Sequence, residues 1–152
     1  MTIKRAISSD HLILTDITKK AKAYWGYSDE QMEKWSDILT ITSDYIEKNS
    51  VYKLCIDTAT IGYYSFFEPD EGTVELDNLF LFPDYIGSGL GRLLIVDFIE
   101  RMKAANIKYI VLEAEPKAEG FYEKFGFVKV GQVESSIENR FLFKMKLKIA
   151  GY

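Results

Sequence analysis

The stretch Asp84-Tyr85-Ile86-Gly87-Ser88-Gly89-Leu90-Gly91-Arg92-Leu93-Leu94 decides the fold of this chain, because it places three glycines between two apolar segments. The run 79–82 before it is typical of a buried strand, and the segment after it has helical spacing. Glycine permits positive φ and the close approach of a ligand. The N–H groups at a helix start favour an anion, above all phosphate. The stretch is interpreted as a phosphate-binding loop; a tight glycine-rich turn is the alternative.

Two familiar phosphate loops do not fit these glycines. A P-loop needs a lysine directly after its last glycine, and none follows here. A dinucleotide fingerprint needs a third glycine at position 92, which is Arg92. The pattern that remains is x-x-x-Gly-x-Gly over residues 86–91, shortly after Pro83. It resembles the coenzyme A loop of the Gcn5-related N-acetyltransferases, where Gln or Arg is usual at the position of Ile86.

A second stretch strengthens this resemblance. It reads Glu115-Pro116-Lys117-Ala118-Glu119-Gly120-Phe121-Tyr122-Glu123-Lys124-Phe125-Gly126-Phe127. The family's pattern is Asn-x-x-Ala-x-x-(Leu/Phe)-Tyr-Glu-Lys-x-Gly-Phe, and Glu115 takes the place of its Asn. The matching positions are Ala118, Phe121, Tyr122, Glu123, Lys124, Gly126 and Phe127. The two motifs follow each other in the family's order, and the resemblance is clear over residues 51–147.

Length and composition limit the classes of protein to consider. A chain of 152 residues is expected to form one domain, 1–152. Its net charge of −4 argues against a nucleic-acid partner. No apolar run is long enough to span a membrane, and the first residues lack the apolar core of a signal peptide. Cys55 is the single cysteine, so no internal disulfide can form. We expect a cytoplasmic protein without a metal site.

The first fifty residues read as a strand over 2–7 followed by helices. Ser8-Ser9-Asp10 starts a helix that reaches Tyr24, with Ile13, Ile17 and Ala21 facing the core. Ser28 caps a second helix that ends near Leu39, and a short helix spans 44–48. By resemblance, residues 1–50 form the substrate side, with Trp25 and Tyr27 lining the acceptor pocket. The alternative is that both rings only pack the loop onto the sheet.

Strand patterns dominate after residue 50. They predict a hairpin of strands 51–57 and 60–68, a turn at 69–72, a strand over 73–82 and a helix over 89–106. A strand over 109–113, a helix over 117–125 closed by Gly126, and strands over 127–133 and 140–149 complete the chain. These elements predict an α/β fold with a mixed, mostly antiparallel sheet flanked by helices. The resemblance adds that the two central parallel strands splay apart and that residues 51–149 bind acetyl-CoA.

The resemblance implies acetyl-CoA as the cofactor, with its pantetheine arm between the splayed strands. The arm is expected to bond the backbone of Leu79, Phe80 and Leu81, one of whose N–H groups would face the thioester oxygen. The other expected cofactor contacts are Ile86, Gly87, Ser88, Gly89, Leu90, Gly91, Arg92, Glu115, Phe121 and Lys124.

Two side chains are the candidates for proton transfer. Glu75 holds by position the place of the glutamate base of some family members, and alternation puts Asp77, a candidate substrate contact, on the same face. Whether Glu75, Asp77 or water takes the amine proton stays open. Tyr122 holds the family's general-acid position. A phenol of pKa about 10 gives its proton uphill to a thiolate whose acid has a pKa of about 8.5.

The predicted activity is transfer of an acetyl group to a primary amine of a small molecule or a peptide. A non-catalytic acyl-CoA-binding module or sensor is the alternative, suggested by Ile86 and Glu115. The sequence identifies no acceptor. By resemblance, a homodimer through the last strands is a further expectation.

Overall fold

The computed structural model describes residues 1–134 and 141–149. Its strands and helices, in chain order, are β1 (Thr2–Arg5), α1 (His11–Tyr24), α2 (Asp29–Lys34), α3 (Ser43–Lys48), β2 (Ser50–Ile56), β3 (Ala59–Asp70), β4 (Thr73–Leu81), α4 (Leu90–Ala104), β5 (Tyr109–Ala114), α5 (Glu119–Glu123), β6 (Val128–Glu134) and β7 (Phe141–Lys148). Short 3-10 turns cover Ser8–Asp10, Pro83–Tyr85 and Pro116–Ala118.

The strands follow the order β1-β2-β3-β4-β5-β7-β6. β4 pairs in parallel with β5, whereas the pairs β1-β2, β2-β3, β5-β7 and β6-β7 are antiparallel. The parallel register runs from Thr73 opposite Tyr109 to Leu76 opposite Leu112, and β4 continues beyond it to Leu81. The predicted fold class, a mixed α/β sheet with a parallel central pair, is confirmed.

The chain divides into two compact units. The first unit contains Met1–Phe66 and Asn78–Phe98, and the second contains Phe67–Asp77 and Ile99–Tyr152. β4 and α4 therefore each contribute residues to both units. The expectation of a single domain over 1–152, divided at residue 50, stays a prediction.

The core of the first unit forms around α1. Ile17 and Ala21 are buried as the helical spacing predicts, and Ile13 packs against the cluster from its edge. Leu14 and Thr18 are buried too, so the inward face of α1 is wider than the predicted stripe. The cluster joins Ala6, Leu14, Ile17, Ile41, Ile46, Val51 and Tyr63.

Helix α4 presents the apolar face expected from its sequence. Leu94, Ile95, Phe98, Ile99 and Met102 are all buried. The helix is shorter than predicted at both ends, because Gly89 precedes its first turn with positive φ and Asn106 leaves the helical region with a φ of 59°. Both residues tolerate the left-handed conformation better than most.

Several predicted boundaries are wrong. α2 begins after Ser28, whose hydroxyl accepts the N–H of Gln31 as expected, but ends at Lys34 rather than Leu39. Ser36 and Asp37 follow, and their side chains compete with helical hydrogen bonding. β3 continues through Pro69 to Asp70, so the predicted turn at 69–72 contracts to Glu71 and Gly72.

Two later elements also differ from prediction. The helix expected over 117–125 consists of a 3-10 turn with Pro116 at its start, followed by α5. Gly126 has a φ of +96°, which agrees with its predicted capping role. Of the strand expected over 140–149, β7 accounts for Phe141–Lys148, and Arg140 lies outside the described residues.

Candidate active site

The loop after β4 is built by local hydrogen bonds of the main chain. The N–H of Tyr85 donates to the carbonyl of Phe82 at 2.9 Å, and the N–H of Ile86 donates to that of Pro83 at 3.1 Å. The hydroxyl of Ser88 donates to the carbonyl of Tyr85. These bonds fold residues 82–88 into a fixed turn whose exit leads into α4.

The glycines of this loop meet the requirements of an anion cradle. Gly87 and Gly89 have φ values of +84° and +86°, and a Cβ added at either would meet no atom within 4 Å. α4 starts directly after Gly89, whose carbonyl accepts the N–H of Leu93 at 3.2 Å. The first N–H groups of such a helix have no intrahelical partner. The loop therefore offers open space and main-chain donors at one place, which fits a phosphate group.

The other predicted loop contacts differ in exposure. Ile86, Ser88 and Arg92 are exposed, whereas Leu90 and Gly91 are half-buried in the first turn of α4. The side chain of Ile86 is 41% exposed and offers no polar group where the family usually has Gln or Arg. At this position, a phosphate would therefore be bound by main-chain N–H groups rather than by a side chain.

The second half of β4 lies close against β3. Leu81 is buried, and Leu79 and Phe80 are half-buried. A Cβ added at Gly62 of β3 would stand 2.6 Å from Leu81 Cδ2 and 2.9 Å from the carbonyl oxygen of Phe80. Only glycine at position 62 therefore permits this approach. Phe80 also packs against the core cluster, with its ring centre 6.2 Å from that of Tyr63.

Of the two rings predicted to line an acceptor pocket, that of Tyr27 packs against another aromatic ring. Tyr27 meets Trp35 edge-on, with ring centres 4.8 Å apart, and Trp25 follows the last turn of α1 with its N–H donated to the carbonyl of Lys22 at 3.1 Å. Both side chains are half-buried. The contact of Tyr27 agrees with the alternative of loop packing, and the substrate role of Trp25 and Tyr27 stays a prediction.

A groove of about 610 Å³ lies in the first unit, between α1 and residues 82–85. Its lining consists of Lys20, Ala23, Tyr24, Phe82, Pro83, Asp84 and Tyr85. Sequence reasoning missed it, although Lys20, Ala23 and Tyr24 share one helix face by their three- and four-residue spacing. The groove joins the end of α1 to the residues that introduce the glycine loop.

The second unit contains Glu75 among charged neighbours. Glu75 lies opposite Val111 on β5, and Glu113, two residues further along β5, lies opposite Lys144 on β7. Partial burial raises the pKa of the Glu75 carboxyl above its ordinary value, and the negative charges of Glu113 and Asp77 raise it further, whereas Lys144 opposes the shift. A carboxylate with a raised pKa is a stronger proton acceptor, which suits a general base.

Glu113 and Lys144 are functional candidates that sequence reasoning missed. The strand pattern around each residue is ordinary, and only the register between β5 and β7 shows that they are opposite each other. Asp77, in contrast, is exposed in the middle of β4. Glu75 and Asp77 thus remain the two carboxylates from which a base can be chosen.

Tyr122 lies on α5 between aromatic neighbours. Its ring centre is 5.2 Å from that of Phe121 and 5.6 Å from that of Phe127, both in edge-to-face geometry. Its carbonyl accepts the N–H groups of Phe125 at 3.0 Å and Phe127 at 3.3 Å. Burial raises the pKa of the phenol above its ordinary value, so the hydroxyl keeps its proton through neutral and mildly basic pH. The ring is fixed, and its hydroxyl is a neutral hydrogen-bond donor.

The remaining candidates in the second unit surround Tyr122 in sequence. The carbonyl of Glu115 accepts the N–H of Ala118 at 2.8 Å and so starts the 3-10 turn. Phe121 also packs against Phe125, with ring centres 5.2 Å apart, and Lys124 is exposed. Of the site residues predicted from the sequence, the second unit contains Glu75, Asp77, Glu115, Phe121, Tyr122 and Lys124, and the first contains all the others.

Among the described residues, no group of His, Cys, Asp and Glu side chains could hold a metal ion. Within residues 1–134 and 141–149, no helix has the length and apolar character needed to cross a membrane.

A protein-family model matches most of the sequence. The model of the acetyltransferase (GNAT) domain matches residues 25–149. The chain belongs to the GNAT acetyltransferase family. The matched region of this GNAT chain includes the glycine loop, both candidate carboxylates and Tyr122. It leaves out β1 and the whole of α1, where the sequence carries no family motif.

Individual relatives agree with this assignment. The GNAT chain is 45% identical over 47 residues to the uncharacterised N-acetyltransferase ycf52 of Pyropia yezoensis, a match covering 31% of this chain and 27% of that relative. The matched segment thus spans about a quarter of that relative's length.

Solved structures extend the likeness of fold to almost the entire chain. The PaiA N-acetyltransferase of Thermoplasma acidophilum, crystallised with coenzyme A, superposes with a TM-score of 0.81 at 20% identity, covering 97% of this chain and 98% of that one. The ribosomal-protein-S18-alanine N-acetyltransferase of Escherichia coli gives a TM-score of 0.75 at 19% identity, covering 99% and 96%.

Proposed function

We propose that this GNAT protein transfers the acetyl group of acetyl-CoA to a primary amine of a small molecule or a peptide. The observation that carries the proposal is the open glycine cradle at the start of α4, where Gly87 and Gly89 have positive φ and clear space. Acetyl-CoA carries a pyrophosphate, which such a cradle binds through main-chain N–H groups. Membership of an acetyltransferase family and the coenzyme A in the PaiA crystals support the choice of cofactor.

The reaction needs one base and one acid besides the cofactor site. The amine nitrogen forms a bond to the thioester carbonyl carbon, and the bond from that carbon to sulfur breaks. Glu75, whose pKa is raised, accepts the proton that the amine loses, unless Asp77 or water does so. Tyr122 donates a hydrogen bond and then its proton to the departing thiolate. Solvent returns the proton to the phenolate, so the products are an amide and the free thiol.

The backbone of Leu79, Phe80 and Leu81 supplies the remaining stabilisation. An N–H group of this segment donates to the thioester oxygen, where negative charge grows as the amine attacks. Close packing against Gly62 fixes that segment from the β3 side. Ile86, Ser88, Leu90, Gly91, Arg92, Glu115, Phe121 and Lys124 complete the proposed cofactor contacts.

The acceptor amine is proposed to enter beside Trp25, Tyr27 and Asp77. The groove between α1 and residues 82–85 supports an opening in the first unit. Its lining combines three aromatic residues and an alanine and a proline with one lysine and one aspartate, which suits an amine attached to an apolar or aromatic body.

Thiol release from acetyl-CoA tests the proposal. Purified protein is incubated with acetyl-CoA and a panel of small amines and peptide amino termini, and free thiol is measured against the amine-free rate. We expect at least one amine to accelerate release and to gain 42 Da through one acetyl group. Tight coenzyme A binding without amine-dependent release would favour the acyl-CoA-binding module. Failure to bind coenzyme A would exclude both functions.

We further propose that the protein is cytoplasmic and that it forms a homodimer through its last strands. The single cysteine, Cys55, is buried and free, which suits a reducing compartment. On β6, Val128 and Val130 are 59% and 57% exposed, which supports an apolar contact there. Sedimentation velocity across a concentration series tests the dimer, and Val130→Lys should return it to monomers.

A further inference from the structure

A polar cluster connects three elements of the first unit. Asn78 of β4 donates its side-chain amide to the hydroxyl of Ser65 on β3 at 3.0 Å and to that of Tyr45 on α3 at 3.3 Å. The hydroxyls of Tyr45 and Ser65 are 2.9 Å apart and hydrogen-bonded. Each member therefore contacts the other two, and the cluster is a closed triangle.

The surroundings of the triangle are apolar. Ser65 is 0% exposed, and Tyr45 packs its ring against the core cluster that contains Tyr63 and Val51. Polar groups in such a place are costly unless they bond one another. The loss of one member would leave the other two with incomplete hydrogen bonding, so the triangle acts as a unit.

The position of Asn78 along β4 gives the triangle its significance. The parallel register with β5 ends at Leu76, and Asn78 is the second residue beyond it. Leu79, Phe80 and Leu81 follow at once. A strand that continues past its neighbour loses one row of main-chain hydrogen bonds, so side-chain contacts add to the remaining pairing with β3 in fixing it.

We propose that Asn78 is a positioning residue, which acts through Ser65 and Tyr45 to hold the main chain of residues 79–81 where the thioester carbonyl binds. The inference rests on the proposed acetyl transfer. Asn78 itself does not contact the reacting atoms. An oxyanion donor must be placed to within a fraction of an ångström, and a shift of about 1 Å can reduce a rate about 10²-fold.

Tyr45→Phe and Asn78→Ala break the triangle in two different ways. Tyr45→Phe keeps the ring in the core and removes only the hydroxyl. Tyr63→Phe is the matched control: Tyr63 is a buried tyrosine of the same core cluster, its hydroxyl bonds Thr18 Oγ1 of α1 at 2.5 Å, and the substitution keeps the ring that packs against Phe80. Tyr45→Phe removes the bonds of its hydroxyl to Ser65 and Asn78, and Tyr63→Phe removes the bond to Thr18, so both variants are expected to lose stability.

Steady-state kinetics separates positioning from general loosening. We expect Tyr45→Phe and Asn78→Ala to lower kcat about tenfold, with the KM for acetyl-CoA nearly unchanged, while Tyr63→Phe keeps its kcat. The double variant should lose little more than Asn78→Ala alone, because both changes break one triangle. Equal losses of kcat in Tyr63→Phe, or unchanged kcat in both triangle variants, would overturn the proposal.

Amide hydrogen exchange provides a readout that does not need catalysis. The amides of Leu79, Phe80 and Leu81 should exchange faster in Asn78→Ala than in the parent, and Tyr63→Phe should leave them unchanged. If the parent lacks acetyl transfer, the proposed function fails, and this comparison still shows whether the triangle holds the strand. Unchanged exchange in Asn78→Ala would refute the positioning role itself.

Discussion

Glu75 shows how charges on its own strand and on neighbouring strands can shift the pKa of one carboxyl group. Burial and the charges of Glu113 and Asp77 raise the pKa of its carboxyl, and Lys144 opposes them. Since a base must be ionised to accept a proton, the pKa of Glu75 should set the acidic limb of the rate profile. Removing a nearby negative charge and removing a nearby positive charge should therefore move this limb in opposite directions.

We predict that Glu113→Gln moves the acidic limb of kcat/KM to lower pH and that Lys144→Met moves it to higher pH. The first change removes a negative charge that disfavours ionisation of Glu75, and the second removes a positive charge that favours it. Lys148→Met is the control, because Lys148 lies opposite Tyr109 on the same strand pair. A limb that stays in place in both variants would assign the base to Asp77 or water.

Replacing Glu75 separates its catalytic role from its effect on stability. Glu75→Gln should reduce kcat by about 10² or more, with little change in acetyl-CoA affinity. The free energy of unfolding at pH 7 should not fall. A carboxyl with a raised folded-state pKa stabilises the fold below its unfolded pKa, and this contribution disappears as the pH rises through the folded pKa. Chemical denaturation at pH 7 and the rate measurement check both parts; a fast variant would exclude Glu75 as the base.

The sequence alone was sufficient to identify some of these residues as candidates. The family motif identified Tyr122 directly, and alternation along the strand placed Glu75 and Asp77 on one face. Glu113 and Lys144 escaped because their relation depends on the register between β5 and β7, which no local pattern contains. Asn78 escaped for the same reason, since its partners come from α3 and β3.

At the scale of elements, the phosphate-binding role of the glycine loop before α4 can be tested by substitution. Gly89 has a φ of +86° with no atom within 4 Å of an added Cβ, so an alanine there is strained but not blocked. Gly72, in the turn between β3 and β4, has a φ of +81° and only ordinary contacts with Lys108. The two glycines therefore form a matched pair for substitution by alanine.

Gly89→Ala should weaken coenzyme A binding at least about tenfold, equivalent to about 1.4 kcal/mol, because the methyl group occupies space that the pyrophosphate needs. Gly72→Ala should leave the affinity unchanged. Both variants should lose stability by a similar amount, about 1–2 kcal/mol, since each places a Cβ in the left-handed region. Titration calorimetry and thermal unfolding measure the two effects. Equal affinity in the two variants would remove the phosphate role from the loop.

Element types were easier to predict than element ends. The strong periodicity of α1 and α4 located both helices, because their buried faces extend over several turns. α2 stopped early because Ser36 and Asp37 favour turn conformations. The groove beside Tyr24 could not be predicted, since it combines residues of α1 with residues 82–85.

At the scale of the whole molecule, the candidate groups divide between the two units. The phosphate loop and residues 79–81 belong to the first unit, and Glu75 and Tyr122 belong to the second. The order of strands, with β7 between β5 and β6, comes from long-range pairing rather than from local sequence. The family resemblance supplied the parallel central pair but not this order, and hydrophobic periodicity supplied only the elements.

Tyr122→Phe tests acid catalysis in this account. The substitution keeps the ring between Phe121 and Phe127 and removes only the hydroxyl. Stability and acetyl-CoA binding should stay close to those of the parent, and kcat should fall by about 10² or more. The loss should appear in kcat rather than KM, because the hydrogen bond strengthens as charge grows on sulfur.

The dependence of that loss on the leaving group is the most direct measurement. Acetyl thioesters with thiols of decreasing pKa are compared in the parent and in Tyr122→Phe, at saturating amine. A thiolate that leaves more easily needs less protonation, so the account predicts that the rate deficit of the variant shrinks steadily as the thiol pKa falls. A deficit that stays constant across the series would mean that Tyr122 only positions the cofactor, and the absence of any deficit would contradict its role as the acid.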